Sequence, residues 1–199
     1  MSSTQSAKKV LEEQRQKHWP PEIDNLKSLR KHLQVAIMLE HATIPAYLTA
    51  LYSIKDVDNS DAGLVIRSVV VEEMLHMTLA ANIMNAVGGK PKINRRKFVP
   101  KYPTRLPHSA ARFEVSTERF SPSAVETFMR IEHPAMGAEP TPQPDEYDTI
   151  GQFYLAIKAG LHKLCEKHGE TEVFCGEASL QIRPEDYYGS GGRVIPVHN

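Results

Sequence analysis

The sequence is short of the residues that brace a protein lacking a large core. Among 199 residues there are two cysteines, and Cys165 and Cys175 stand too far apart for a CxxC redox or zinc pair. A single disulfide would brace little of a chain this long, so both are read as reduced thiols without a role. Long apolar runs are missing too. None approaches the roughly 18 to 20 residues of a membrane span, and the opening MSSTQSAKK lacks the apolar stretch of a secretory signal. The expectation is a soluble, cytoplasmic protein with no membrane role. Excess charge of either sign is absent as well: 24 Lys and Arg balance 24 Asp and Glu. That balance argues against a surface built wholly for nucleic acid. Hydrophobic residues at 41% and charged residues at 24% exclude a disordered chain and can bury a sizeable core. One domain is expected over 25–199, with an N-terminal extension over 1–24.

What is present is a set of helical patterns. Nine of the fourteen prolines fall between Pro91 and Pro144, so long helices belong mostly outside that stretch. From Asn25 to Ile54 apolar residues recur at Leu26, Leu29, Leu33, Ile37, Ile44, Leu48 and Leu51, the spacing of one helical face. Pro45 lies inside this helix and predicts a kink, with a carbonyl freed near His41. Ser60 and Asp61 start a second helix with Val65, Val69, Ala80, Ile83 and Val87 on one face, stopped by Gly88 and Gly89. The two should form a hairpin. A short third helix is expected after Ser121 and Pro122, turning Val125, Phe128 and Met129 inward, and a fourth from about Thr149 to His168. The fourth carries Ile150, Phe153, Ile157, Leu161 and Leu164, and the later YYGSGGRVIPV reads as a glycine turn leading into a short apolar segment.

The chemistry shows as interruptions of these stripes. Stepping from Leu33 and Ile37 along the first helix lands on Glu40, and stepping from Val69 along the second gives Glu73, His76 and Ala80. A buried carboxylate needs a partner. Glu73 and His76 form an E-x-x-H pair, neighbours on one helical surface. In carboxylate-bridged dimetal bundles that spacing lets the glutamate bridge and the histidine ligate, with another glutamate from an adjacent helix. Glu40 can be that residue. Glu72, one turn before His76, can orient the imidazole or simply be solvated. A polar cluster whose members satisfy one another is the alternative to metal binding. His41 is read as packing, or as bonding the freed carbonyl, and Met38, Met74, Met77 and Met84 as core filler.

Lys90, Lys92, Arg95, Arg96, Lys97, Lys101, Arg105 and Arg112 make the stretch between Gly88 and Phe113 basic, with no acid among them. It is read as a solvated loop, with guidance of a small carboxylate substrate as the next reading. Phe98 and Tyr102 are too few to form a stacking surface, so no nucleic-acid partner is expected.

The segments LEHATIPAYLTALYSI at 39–54, VVVEEMLHMTLAANIMNAVGGKPKI at 69–93, FMRIEHP at 128–134, TIGQFYLAI at 149–157 and YYGSGGRVIPV at 187–197 together resemble the ferritin-like domain of the iminophenyl-pyruvate dimer synthase family, known from the violacein and rebeccamycin pathways. The resemblance implies an all-α ferritin-like helical bundle with long Pro-rich loops. It also implies a non-haem iron site including Glu40, Glu73 and His76, and oxidative chemistry on small amino-acid-derived metabolites. Two departures stand out. The family usually reads TIGEFY, so Gln152 replaces a carboxylate, and relatives continue past VIPV into a further bundle helix. The expectation is an incomplete bundle closed by a homodimer or a partner chain. Three outcomes stay open: a single weakly held metal, a site completed by two chains, or a metal-free interaction module. Glu132 can add one carboxylate.

Overall fold

The first helix, α1 (Leu26–Ser53), starts where the sequence places it. Asn25 caps it in a reciprocal box: the Ser28 amide donates to Asn25 Oδ1 at 2.9 Å, and Ser28 Oγ accepts from the Asn25 amide at 3.3 Å. The helix runs on unbroken through Pro45. Beside the position that the proline strips of its donor, Tyr102 donates its hydroxyl to the Ala42 carbonyl at 2.8 Å. The structure is a computed structural model that describes residues 22–55, 59–106, 114–133, 150–187, 189 and 192–198. The expected extension over 1–24 therefore lies almost wholly outside the described residues, as do Thr149 and Arg112.

Helix α2 (Ser60–Ala86) pairs along α1 as the hairpin expected. It ends in a Schellman turn, with the Gly89 amide donating to the Met84 carbonyl at 2.8 Å across Gly88, whose φ of 68° suits glycine. Helix α3 (Pro122–Ile131) is capped by Ser121, which accepts from the Ala124 amide at 3.2 Å. Helix α4 (Ile150–His168) packs on α1, and Gly169, φ 84°, turns the chain into α5 (Glu170–Val173). Among the described residues there is no strand, only an antiparallel bridge between Thr104 and Val115. The all-α expectation holds.

Two stripe residues point the other way. Val65 is 63% and Met129 69% exposed. The face that α2 buries early on is Ile66, Val70 and Glu73, one position along from Val65. In α3 it is Ala124, Phe128 and Ile131, which leaves Met129 about 100° round the helix. Both cysteines are free, as read.

The core comes in two parts. Leu29, Leu33, Ile37, Met84, Phe153, Ile157 and Leu164 fill one between α1, α2 and α4. Tyr47, Ala50, Ile66, Val70, Val115, Phe128 and Ile131 fill the other, between the far half of the hairpin and α3. Glu40 and Glu73 belong to neither apolar set and fall at the seam. The described tail lies along α2. Asn82, fully buried, donates to the Ile182 carbonyl and accepts from its amide, each at 2.8 Å, and Gln181 makes a similar pair with Val197.

Candidate metal centre

Glu40 comes from the middle of α1 and Glu73 from the middle of α2, 2% and 5% exposed. His76 follows Glu73 by one turn. Its Nδ1 lies 3.6 Å from Glu73 Oε1 and 3.8 Å from Glu40 Oε2. One donor atom from each of the three lies within 4.8 Å of the others. The imidazole is not enclosed as its place on the stripe implied: 48% of its side chain is exposed. It stands at the wall of a cavity of about 500 Å³ between α1, α2, α4 and the end of α3, so its outer edge meets open space.

Each carboxylate is also held by a hydroxyl. Tyr154 of α4 donates to Glu40 Oε1. Thr43 Oγ1 contacts Glu73 Oε2 and lies 2.8 Å from the Glu40 carbonyl, so its single proton serves one acceptor at a time. A third hydroxyl, Tyr47, donates to Glu132 Oε1 at 2.6 Å. Tyr47 and Tyr154 have pKa values pushed well above the ordinary phenol, by burial first and by the neighbouring carboxylates second, so both stay protonated donors. Burial pushes Glu73 up, as does the charge of Glu40, while His76 and Thr43 pull it down. The carboxylates of Glu40 and Glu73 hold His76 up at about 10.

The spacing fits an ion better than it fits direct contact. At 3.6 and 3.8 Å neither imidazole–carboxylate approach is a hydrogen bond. Two donors each about 2.1 Å from a common ion lie about 3 Å apart at a right angle and about 4.2 Å apart when opposed. Both observed gaps fall between those limits. Carboxylate oxygens with one imidazole suit iron, manganese or zinc, and the donor set does not choose among them.

Of the other residues singled out from sequence, Glu132 lines the cavity, its pKa raised chiefly by burial. Glu72 is exposed, the solvated alternative. Gln152 is not among the described residues that line the cavity, and α4 reaches the centre through Tyr154 instead. His41 packs: its ring lies 4.4 Å from that of Phe98, and its buried Nδ1 has no hydrogen-bond partner among the described residues. The described basic side chains from Lys90 to Arg105 are exposed, and none lines the cavity. Thr43, Tyr47 and Tyr154 were not foreseen. Thr43 and Tyr47 continue the Glu40 face at steps of three and four, so that face signalled them.

Paired long helices with two inward glutamates and an E-x-x-H histidine at the seam define a helical bundle of the carboxylate–histidine class. The ferritin-like family profile matches residues 33–199, and the chain belongs to that family. Among solved structures it is similar to a ferritin-like protein from Caulobacter vibrioides, with 33% identity and a TM-score of 0.61 over 73% of this chain. The match covers 55% of that protein, so this chain spans little more than half its length. No curated protein matches the chain.

Proposed function

We propose that this ferritin-like chain is a non-haem iron protein of oxidoreductase type, with Glu40, Glu73 and His76 as the protein ligands and a small amino-acid-derived metabolite as substrate. The observation that carries the reading is the convergence of three donors from two helices within 4.8 Å at the wall of a cavity. Iron held there would supply electron transfer and dioxygen chemistry. The chain's own part is positional. Tyr154 fixes the Glu40 carboxylate, Thr43 reaches that of Glu73, and aliphatic walls line the space beside the imidazole.

The finer likeness to iminophenyl-pyruvate dimer synthases supports an ancestry in oxidative metabolism, and a shared fold does not carry that family's substrate across. The half-exposed His76, with Leu64 and Val65 each 63% exposed on α2, favours a second copy or a partner chain beside the bundle. No described helix is long and apolar enough to cross a membrane, and a cytoplasmic setting stays part of the proposal.

One observation favours a second reading. Tyr154 and Thr43 already place a donor on each carboxylate, as a metal-free structural cluster would require. Anaerobic loading of chelator-stripped protein with ferrous iron separates the two. About one iron per chain should survive desalting, and Glu73→Ala should abolish it. Occupancy below about a tenth in the parent protein would establish the structural cluster instead.

A further inference from the structure

The cavity beside the triad is chemically lopsided. Leu33 of α1, Leu79 and Ile83 of α2, and Ile150 and Ile157 of α4 make its walls aliphatic. Apart from the triad and Tyr154, the titratable groups that line it among the described residues are Glu132 and His133, at the end of α3. No lysine or arginine is among the described residues that line it, although the chain carries 24 such residues.

These facts constrain what fits. A ligand carboxylate would enter a space faced by three glutamates, with only the imidazole of His76, already set between Glu40 and Glu73, and that of His133 to meet it. A wholly apolar ligand would cover Glu132 without supplying a donor to the oxygen that Tyr47 does not hold. Glu40 and Glu73 are buried and committed to one another's neighbourhood, whereas Glu132 is exposed at the cavity and oriented by the Tyr47 hydroxyl on one oxygen. That leaves one acidic anchor where a polar end would emerge from the aliphatic chamber.

We propose that the cavity binds an apolar amine, its ring or branched chain among the leucine and isoleucine walls and its ammonium on Glu132. The inference rests on the reading of this cavity as the substrate chamber, and it narrows the amino-acid-derived substrate to one that has lost its carboxylate or has it masked. The recognition belongs to the walls and to Glu132, so it does not require the metal.

Three probes of one shape test it: 2-phenylethylamine, 2-phenylethanol and 3-phenylpropanoate, titrated by NMR against the full chain, once stripped with chelator and once loaded with ferrous iron under argon. In the stripped form the amine should bind about five- to tenfold more tightly than the alcohol, and the carboxylate most weakly; in the loaded form the amine should keep its advantage over the alcohol. Glu132→Gln keeps an acceptor for Tyr47. It should erase the advantage of the amine while leaving the alcohol unchanged, and Ile157→Trp should weaken all three by filling the chamber. Tightest binding of the carboxylate to the stripped protein, an amine preference that survives Glu132→Gln, or no saturable binding of any probe would each overturn the proposal. Metal content is read separately in the same samples. A stripped protein that ranks the probes as expected but takes up no iron sinks the iron reading alone, and one that takes up iron when loaded but prefers the acid when stripped sinks this inference alone.

Discussion

At Glu40 the carboxylate has two neighbours of different kinds, the imidazole of His76 at 3.8 Å and the hydroxyl of Tyr154. The first leaves room for an ion and the second fixes the carboxylate that would bind it. Tyr154→Phe removes only the hydroxyl, so it should weaken metal affinity by about tenfold while the helices persist. Tyr47→Phe, which loses a bond to Glu132 instead, should change affinity little. A chelator-competition titration of both variants checks this, and equal effects would deny Tyr154 its positioning role. The two histidines give a second contrast. His76→Ala should lower iron occupancy far more than His41→Ala, because His76 shares the Glu73 face and His41 packs on Phe98. Metal analysis of the two purified variants decides it, and equal loss would mean that the face is misassigned.

Helix α1 meets α4 through His32, which is 2% exposed, bonds the Ser28 carbonyl at 2.9 Å through Nδ1 and stacks on Phe153. Burial lowers its pKa below the ordinary histidine value, partly offset by the Ser28 bond. Above pH about 6.5 the ring is neutral in both folded and unfolded chains and carries no linkage. As pH falls from there towards the lowered folded pKa, the unfolded chain takes up a proton that the folded one does not, and stability is lost. The melting temperature of the metal-free protein should therefore fall more between pH 7 and pH 5 than that of His32→Leu, and parallel curves would contradict the assignment. The tail and α2 join through Asn82, whose amide serves both backbone groups of Ile182. Asn82→Ala should cost about 2 kcal/mol in denaturant unfolding and raise hydrogen exchange at Ile182. Unchanged exchange there would show the tail held by other contacts. These elements also mark how far the sequence could be read. The start at Ser121 and the stop at Gly88 were legible because capping is local chemistry, and the start at Asn25 because the apolar stripe begins beside it. The exposure of Val65 and Met129 was not, because a stripe one residue wide of the true face has nearly the same spacing, and only the packing partner settles which edge is buried. Tyr154 was hidden for a related reason. It neighbours the core residue Phe153 and reaches Glu40 across 114 positions of chain, a pairing that no local pattern encodes.

The bundle is built around a seam. Apolar residues close both halves of the hairpin, and the charged groups occupy the gap between them, open on one side to a cavity of about 500 Å³. Burying two carboxylates there costs several kcal/mol unless a cation compensates them. If iron is that cation, loading should raise the melting temperature, and Glu40→Gln, which removes one charge at nearly constant shape, should raise the stability of the metal-free chain while lowering that of the loaded one. Opposite signs in the two states are the expected result; a variant less stable in both would mean that Glu40 serves structure alone. The most direct test of the central claim is anomalous scattering at the iron edge from crystals of the iron-loaded protein. The account predicts a peak about 2.1 Å from donor atoms of Glu40, Glu73 and His76 together. A loaded crystal with no peak between those three side chains, or with its iron only on surface residues, would contradict it.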